Sequence, residues 1–405
     1  MKSVQRYASG EYFLFLLPLF FVLHGYIENY EAMRFSEALY LLLQTLFVSL
    51  VILLIGLLNF RRLRKAAIFT FCLLFYHLFF GPVHDAIKKL FPSAFLSKYA
   101  FILPVSLLLL ICLMIYLRKT QRSFNRISLY LNGLLLLLIL LEFPALLKAS
   151  SQKGPTSASS SAICDTCEKP DIHLIIADEY ADSVSLQQIF GFDNGTFQGA
   201  MRKRGFHIVE NSRSNYNFTP FAMASLLQMD YLTGIKGHNQ SLADKNRCYE
   251  LINKSVLWNY FKEHGYEIRN HSIFNIANIP TPAPQNYILI GKDMILMQTF
   301  LSRLDRDLRY HLALTFGIKS ELNRIVYFIN RCNRLLFGRL LAETKRVTAK
   351  PRFVYTHLTM PHYPYYFRKD GTPNPVEFLS EGQQVRQKEY IEYLQYSNSI
   401  FFKDR

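Results

Sequence analysis

Five apolar stretches, near residues 11–27, 38–59, 66–86, 100–117 and 127–147, constrain this chain more than any other feature. A helix needs roughly 20 apolar residues to cross the hydrocarbon core of a bilayer, which is about 30 Å thick. Each stretch is of that order, so residues 1–148 are expected to form a five-helix transmembrane bundle. The third stretch carries His77, Pro82 and His84 and is the most polar. The first lacks a small-residue cleavage site and is followed by further spans, so it reads as a span and not as a cleaved leader. Residues 171–405 have an ordinary globular composition. Between the two lies ASSQKGPTSASSSAICDTCEKP, residues 149–170, small, polar and Ser-rich, which marks a linker.

Charge gives the orientation. Lys2 and Arg6 precede the first stretch, Arg61, Arg62, Arg64 and Lys65 follow the second, and Arg118, Lys119, Arg122 and Arg126 follow the fourth. With five spans these regions share one side, and the basic side is cytoplasmic. The N-terminus is then cytoplasmic and the C-terminal domain lies outside. The formal net charge of +16 is accounted for by these loops and by a second excess in 303–352, so nucleic acid is not an expected partner; no nucleic-acid-binding module is visible. Within that excess, ELNRIVYFINRCNRLLFGRLLA (321–342) has helical period. It suits either a membrane surface or a core helix with a solvated basic face. Cys164 and Cys167 form a CDTC in the linker, readable as a local disulfide. Cys248 and Cys332 either pair or stay free.

The globular half reads as strands alternating with helices. DIHLIIA (171–177), His207–Glu210, YEIRN (266–270) and Phe353–Leu358 are strand-like. Helices are expected over 184–204, ending at Gly205, around Trp258, and over 382–402. This pattern predicts an α/β domain with a mostly parallel sheet, whose chemistry gathers at the carboxyl ends of the strands. Asp178 and His357 fall at two such ends. In SNYNFTPFAMASLLQM (214–229), Thr219 reads as an N-cap and Pro220 as the first helical residue. A hydroxyl there faces the positive end of the helix dipole, which favours an alkoxide or a phosphate. Downstream, HLTMPHYPYYF (357–367) is an extended loop in which His357 and His362 can face one cleft.

Four segments, DIHLIIADEYAD (171–182), GFHIVENSRSNYNFTPFAMASLLQMDYL (205–232), RFVYTHLTMPHYPYYF (352–367) and QKEYIEYLQYSN (387–398), resemble the sulfatase-like branch of the alkaline phosphatase superfamily. Its membrane-bound members include phosphoethanolamine transferases and lipoteichoic acid synthases. The resemblance implies that Asp178 binds the catalytic metal, with Glu179 as the fallback if the register slips by one. It implies Thr219 as metal-bound nucleophile, His362 as a catalytic histidine and His357 as a weaker, substrate-binding match. One divalent metal is implied, zinc or manganese rather than calcium. The chain lacks the Cys/Ser-x-Pro-x-Arg motif of true sulfatases, which favours phosphoryl transfer. The implied activity moves a phosphoethanolamine- or phosphoglycerol-type head group from a membrane phospholipid to an envelope glycan or lipid, in a bacterial inner membrane. A sulfatase-like phosphoesterase or sulfuric ester hydrolase stays open, as does a non-catalytic relative.

The family completes its metal site with an Asp-His pair, and no Asp-His dipeptide occurs in this sequence. The expectation is therefore a C-terminally truncated form with an incomplete metal site, weak or no catalysis and an exposed sheet edge.

Overall fold

The computed structural model describes residues 10–30, 33–91, 95–151, 168–234, 242–284, 291–380 and 386–402. It divides into two compact units, Met1–Gln152 with Leu289–Arg309, and Lys153–Ile288 with Tyr310–Arg405. Most of the expected linker, with Cys164 and Cys167, lies outside the described residues.

In the first unit, four helices among the described residues are long and apolar enough to cross a membrane: α2 (Phe35–Phe60), α3 (Leu63–Leu90), α4 (Tyr99–Lys119) and α5 (Asn125–Ser151). They form because their residues are almost all good helix formers in lipid, where each backbone group must be bonded within its own segment. α4 buries only Leu117 among its described residues, and Phe47, Leu58 and Leu109 stand outward at 66, 83 and 64% exposure. Helices apolar on every side belong in hydrocarbon. α1 (Phe13–Glu28) is apolar but shorter, with 16 residues, or about 24 Å at 1.5 Å per residue.

Residues 291–309 also pack into this unit, which hydropathy does not signal because the segment is mostly polar. Gly81 of α3 donates its N–H to the Gln298 carbonyl at 2.7 Å, and a Cβ at Gly81 would collide with the Gln298 side chain and backbone. Arg303, itself buried, grips both carboxylate oxygens of Asp85 at 2.8 and 2.7 Å.

The second unit is built on three parallel strands, β1 (Ile172–Ala177), β2 (Glu267–His271) and β3 (Arg352–Leu358), in the order β1-β3-β2. Every residue of β3 is buried. Since successive side chains point to opposite faces, the sheet is covered on both faces at its centre. Trp258, Phe261, Phe353 and Tyr355 form part of that packing. β1 is an edge strand of intermediate burial, with Ile175 at 42% exposure.

Three expectations need correction. His207–Glu210 is not a strand: Phe206 and Val209 are exposed and the segment has no strand beside it to pair with among the described residues. The helix expected over 184–204 is two, Ser183–Phe190 and Gly195–Lys203, because Gly191 turns left-handed at φ 63° and closes the first. The amphipathic stretch 321–342 is likewise two helices, Lys319–Val326 and Phe328–Thr344, joined at Tyr327. The apolar side of the second, with Cys332 and Leu336, packs into the sheet's core, which is the core-helix reading. Cys248 and Cys332 are both buried and free.

Candidate active site

β1 carries the chain to Asp178, whose N–H donates to the Leu358 carbonyl of β3 at 2.9 Å. That bond holds the carboxylate at the carboxyl end of the sheet, beside His357, which aligns with Ile176 in the strand register. The Thr219 hydroxyl lies 3.5 and 3.4 Å from the two Asp178 oxygens. His357 Nε2 lies 3.5 Å from Asp178 Oδ2. Three residues remote in sequence therefore meet: Asp178, Thr219 and His357.

Thr219 is the first residue of the helix Thr219–Gln228, and Phe218 is its N-cap, one residue earlier than the sequence suggests. Its hydroxyl caps no backbone N–H and is directed to Asp178 instead. Pro220 suits this first turn, since its missing N–H would have had no partner there. The hydroxyl thus stands at the positive end of a ten-residue helix.

His357 is fully buried. Its Nδ1 meets the Tyr355 hydroxyl at 3.0 Å, and the Phe274 ring packs edge-on against it. Nε2 faces the Asp178 carboxylate at 3.5 Å, a long contact, and has no closer partner in this buried setting. Burial pushes the Asp178 carboxyl pKa upward, but hydrogen bonding and charge from His357, charge from His362 and the Thr219 hydroxyl outweigh it and hold the group below its ordinary value. Asp178 is therefore ionised near neutral pH.

A second pair adjoins the first. His362 Nε2 lies 3.1 Å from Glu179 Oε1, and Glu179 sits at φ 60°, an uncommon conformation for a side chain of its size. Burial and the neighbouring Asp178 raise the Glu179 pKa against the opposing charge of His362. Tyr390 fixes this corner: its hydroxyl donates to the Glu179 carbonyl at 2.8 Å and accepts from the Ala181 N–H at 3.1 Å. The loop bearing His362 is held through Thr359, whose N–H and carbonyl both bond the Asn333 amide at 2.8 Å.

The geometry thus joins Asp178, Thr219 and His357 and sets Glu179 with His362 beside them. Tyr355, Tyr390 and Asn333 act as supports that sequence reasoning did not single out. The alternation Tyr-x-His along a buried strand was the available signal for Tyr355, since both side chains must point to one face.

As a metal centre the set is short. Asp178 offers a carboxylate, His357 an imidazole with an orphaned nitrogen and Thr219 a hydroxyl. Zinc ordinarily takes four ligands, and among the described residues no group of three or more His, Cys, Asp or Glu is arranged to hold a metal ion. These residues do not by themselves fit the implied metal. Comparison with protein-family models, with curated proteins and with solved structures finds no match for this chain.

Proposed function

We propose that this chain is a membrane-anchored transferase that moves a phosphoryl-containing head group from a lipid to an envelope acceptor through a covalent adduct on Thr219. The observation that carries the reading is the Thr219 hydroxyl, set at a helix N-terminus and within 3.5 Å of both oxygens of an ionised Asp178. Five spans, counting the short helix α1, carry the domain to the outer face of a bacterial inner membrane, where such donors and acceptors lie; the basic loops support that orientation.

The Thr219 proton passes to Asp178 as Oγ1 attacks the phosphorus of the donor. The new Thr219 Oγ1–P bond forms and the bond from phosphorus to the diacylglycerol oxygen breaks. His362, paired with Glu179, gives a proton to the departing alkoxide. An acceptor hydroxyl then attacks the adduct, His362 takes that hydroxyl's proton, and Thr219 recovers its own from Asp178. The helix dipole favours negative charge on the transferring group throughout. A divalent cation belongs to the activity implied by the resemblance, and its ligands would extend beyond Asp178, His357 and Thr219; no step above is routed through it.

The test uses the full chain in native membranes with labelled phospholipid donors. Thr219→Ala is expected to remove both turnover and the mass increment on the Thr219 peptide, while Thr219→Ser retains the increment. Unchanged turnover in Thr219→Ala ends the reading. Release of the group to water with acceptor lipids present makes the protein a phosphoesterase.

A further inference from the structure

The helix Phe300–Thr315 ends in a Schellman turn. Gly317 takes φ 63° and donates its N–H to the Leu314 carbonyl at 3.2 Å, and Ile318 donates to Ala313 at 2.8 Å. Ala313 is buried and ties the turn down. Around it, Leu312, Leu314, Phe316 and Ile318 remain 50, 49, 72 and 46% exposed. Four large apolar side chains left to solvent within seven residues mark an interaction surface.

What surrounds the turn says which surface it meets. The next helix begins at once, with Lys319 and Arg324 exposed, Arg324 pairing with Glu321 at 2.7 and 3.0 Å, and Arg331 of the following helix is exposed beside them, which leaves the rim net cationic. Ser320, Asn323, Arg324, Tyr327 and Arg331 line a shallow cleft of about 630 Å³. Bonds to the Asn323 and Arg324 carbonyls fix the Arg331 side chain along this cleft. Apolar side chains next to a cationic rim match a phospholipid layer, which offers acyl chains and anionic phosphates at adjacent depths. Among its described residues the same chain carries four helices long and apolar enough to cross a membrane, which makes a lipid surface an available partner.

We infer that residues 312–318 form a lipid-docking turn. Leu314, Phe316 and Ile318 enter the acyl boundary, and Lys319, Arg324 and Arg331 lie against lipid phosphates. The inference is independent of the chemistry at Thr219.

The full chain reconstituted in nanodiscs tests it. Its one tryptophan, Trp258, is buried at 1% exposure and supplies a fixed background. Phe316→Trp and, as a second probe should that variant fail to fold, Ile318→Trp are compared with Val347→Trp, placed at a residue 98% exposed. Brominated phospholipids are expected to extinguish most of the added emission at 316 or 318 and little of that at 347, with aqueous iodide doing the reverse. Replacing Lys319, Arg324 and Arg331 together by Gln is expected to weaken the brominated-lipid effect, most in discs rich in anionic lipid. Iodide quenching at 316 equal to that at 347, without an effect of brominated lipid, overturns the inference. So does protection from both quenchers that grows with the number of chains per disc, which would assign the patch to a second copy of the protein.

Discussion

At the amino end of the parallel sheet, the Arg352 side chain is saturated. It meets Asp171 through Nε at 3.2 Å and through Nη2, and Glu343 through Nη1 at 3.0 Å to the carboxylate and 2.9 Å to the carbonyl, while its backbone N–H donates to Asp171 at 2.7 Å. At the carboxyl end, Asp178 has its nearest side-chain partners at 3.4–3.5 Å, and the His357 Nε2 facing it is an orphan. Both ends bury charge. Arg352 spends its hydrogen-bonding capacity on the scaffold, whereas Asp178 and His357 keep theirs only partly met. Buried polar groups are nearly always paired, so the shortfall at one end carries information that the saturation at the other does not.

Substitutions should separate the two ends. Thr219→Ala is expected to lower turnover at least about a thousandfold, in line with removal of a covalent nucleophile, and to leave thermal unfolding unchanged. A matching fall in melting temperature would make Thr219 scaffold and erase the contrast. Arg352→Met is expected to do the opposite, destabilising the domain by about 3–5 kcal/mol because Glu343 is left buried without its main cation. Denaturant titration of the detergent-solubilised chain measures it. Tyr355→Phe deprives His357 Nδ1 of its partner and should cost about 1–3 kcal/mol, with turnover falling as the imidazole loses its fixed orientation. The smallest effect is one of pH. The Arg352 hydrogen bond holds the Asp171 carboxyl below its ordinary value of 3.8 despite opposing desolvation. A depressed carboxyl contributes stability above that value and loses it as pH falls through the lower folded value, so wild type should lose stability more steeply on acidification below about pH 4 than Asp171→Asn, whose acid limb should be flatter and start from a lower stability. Identical acid limbs would show that Asp171 carries none of this dependence.

Much of the fold follows from local pattern. β1 and β3 stand out as short β-branched or aromatic runs, β2 (EIRNH) is marked mainly by Gly265 before it, and their parallel pairing follows from the helices between them. The four long apolar helices follow from hydropathy alone. What local pattern misses depends on remote partners. Phe206 and Val209 have strand propensity but no neighbour to pair with. Residues 291–309 look like part of the globular half, yet Arg303 finds its carboxylate on α3. At the site, residue type and strand-end position singled out Asp178, Thr219 and His357, whereas the relative closeness of His357 over His362 to Asp178 comes from strand register and could not be read from spacing.

The strand order has a consequence for biogenesis. Among the described residues β1 and β2 share no hydrogen bond; each pairs only with β3, which follows both in the sequence. A ribosome that has delivered β1 and β2 has delivered two strands with nothing between them, and the sheet closes in one event when residue 358 becomes available. Until then both strands keep unpaired edge groups while the chain is still being made. Nascent-chain arrest points before and after that residue should therefore differ sharply in protease resistance.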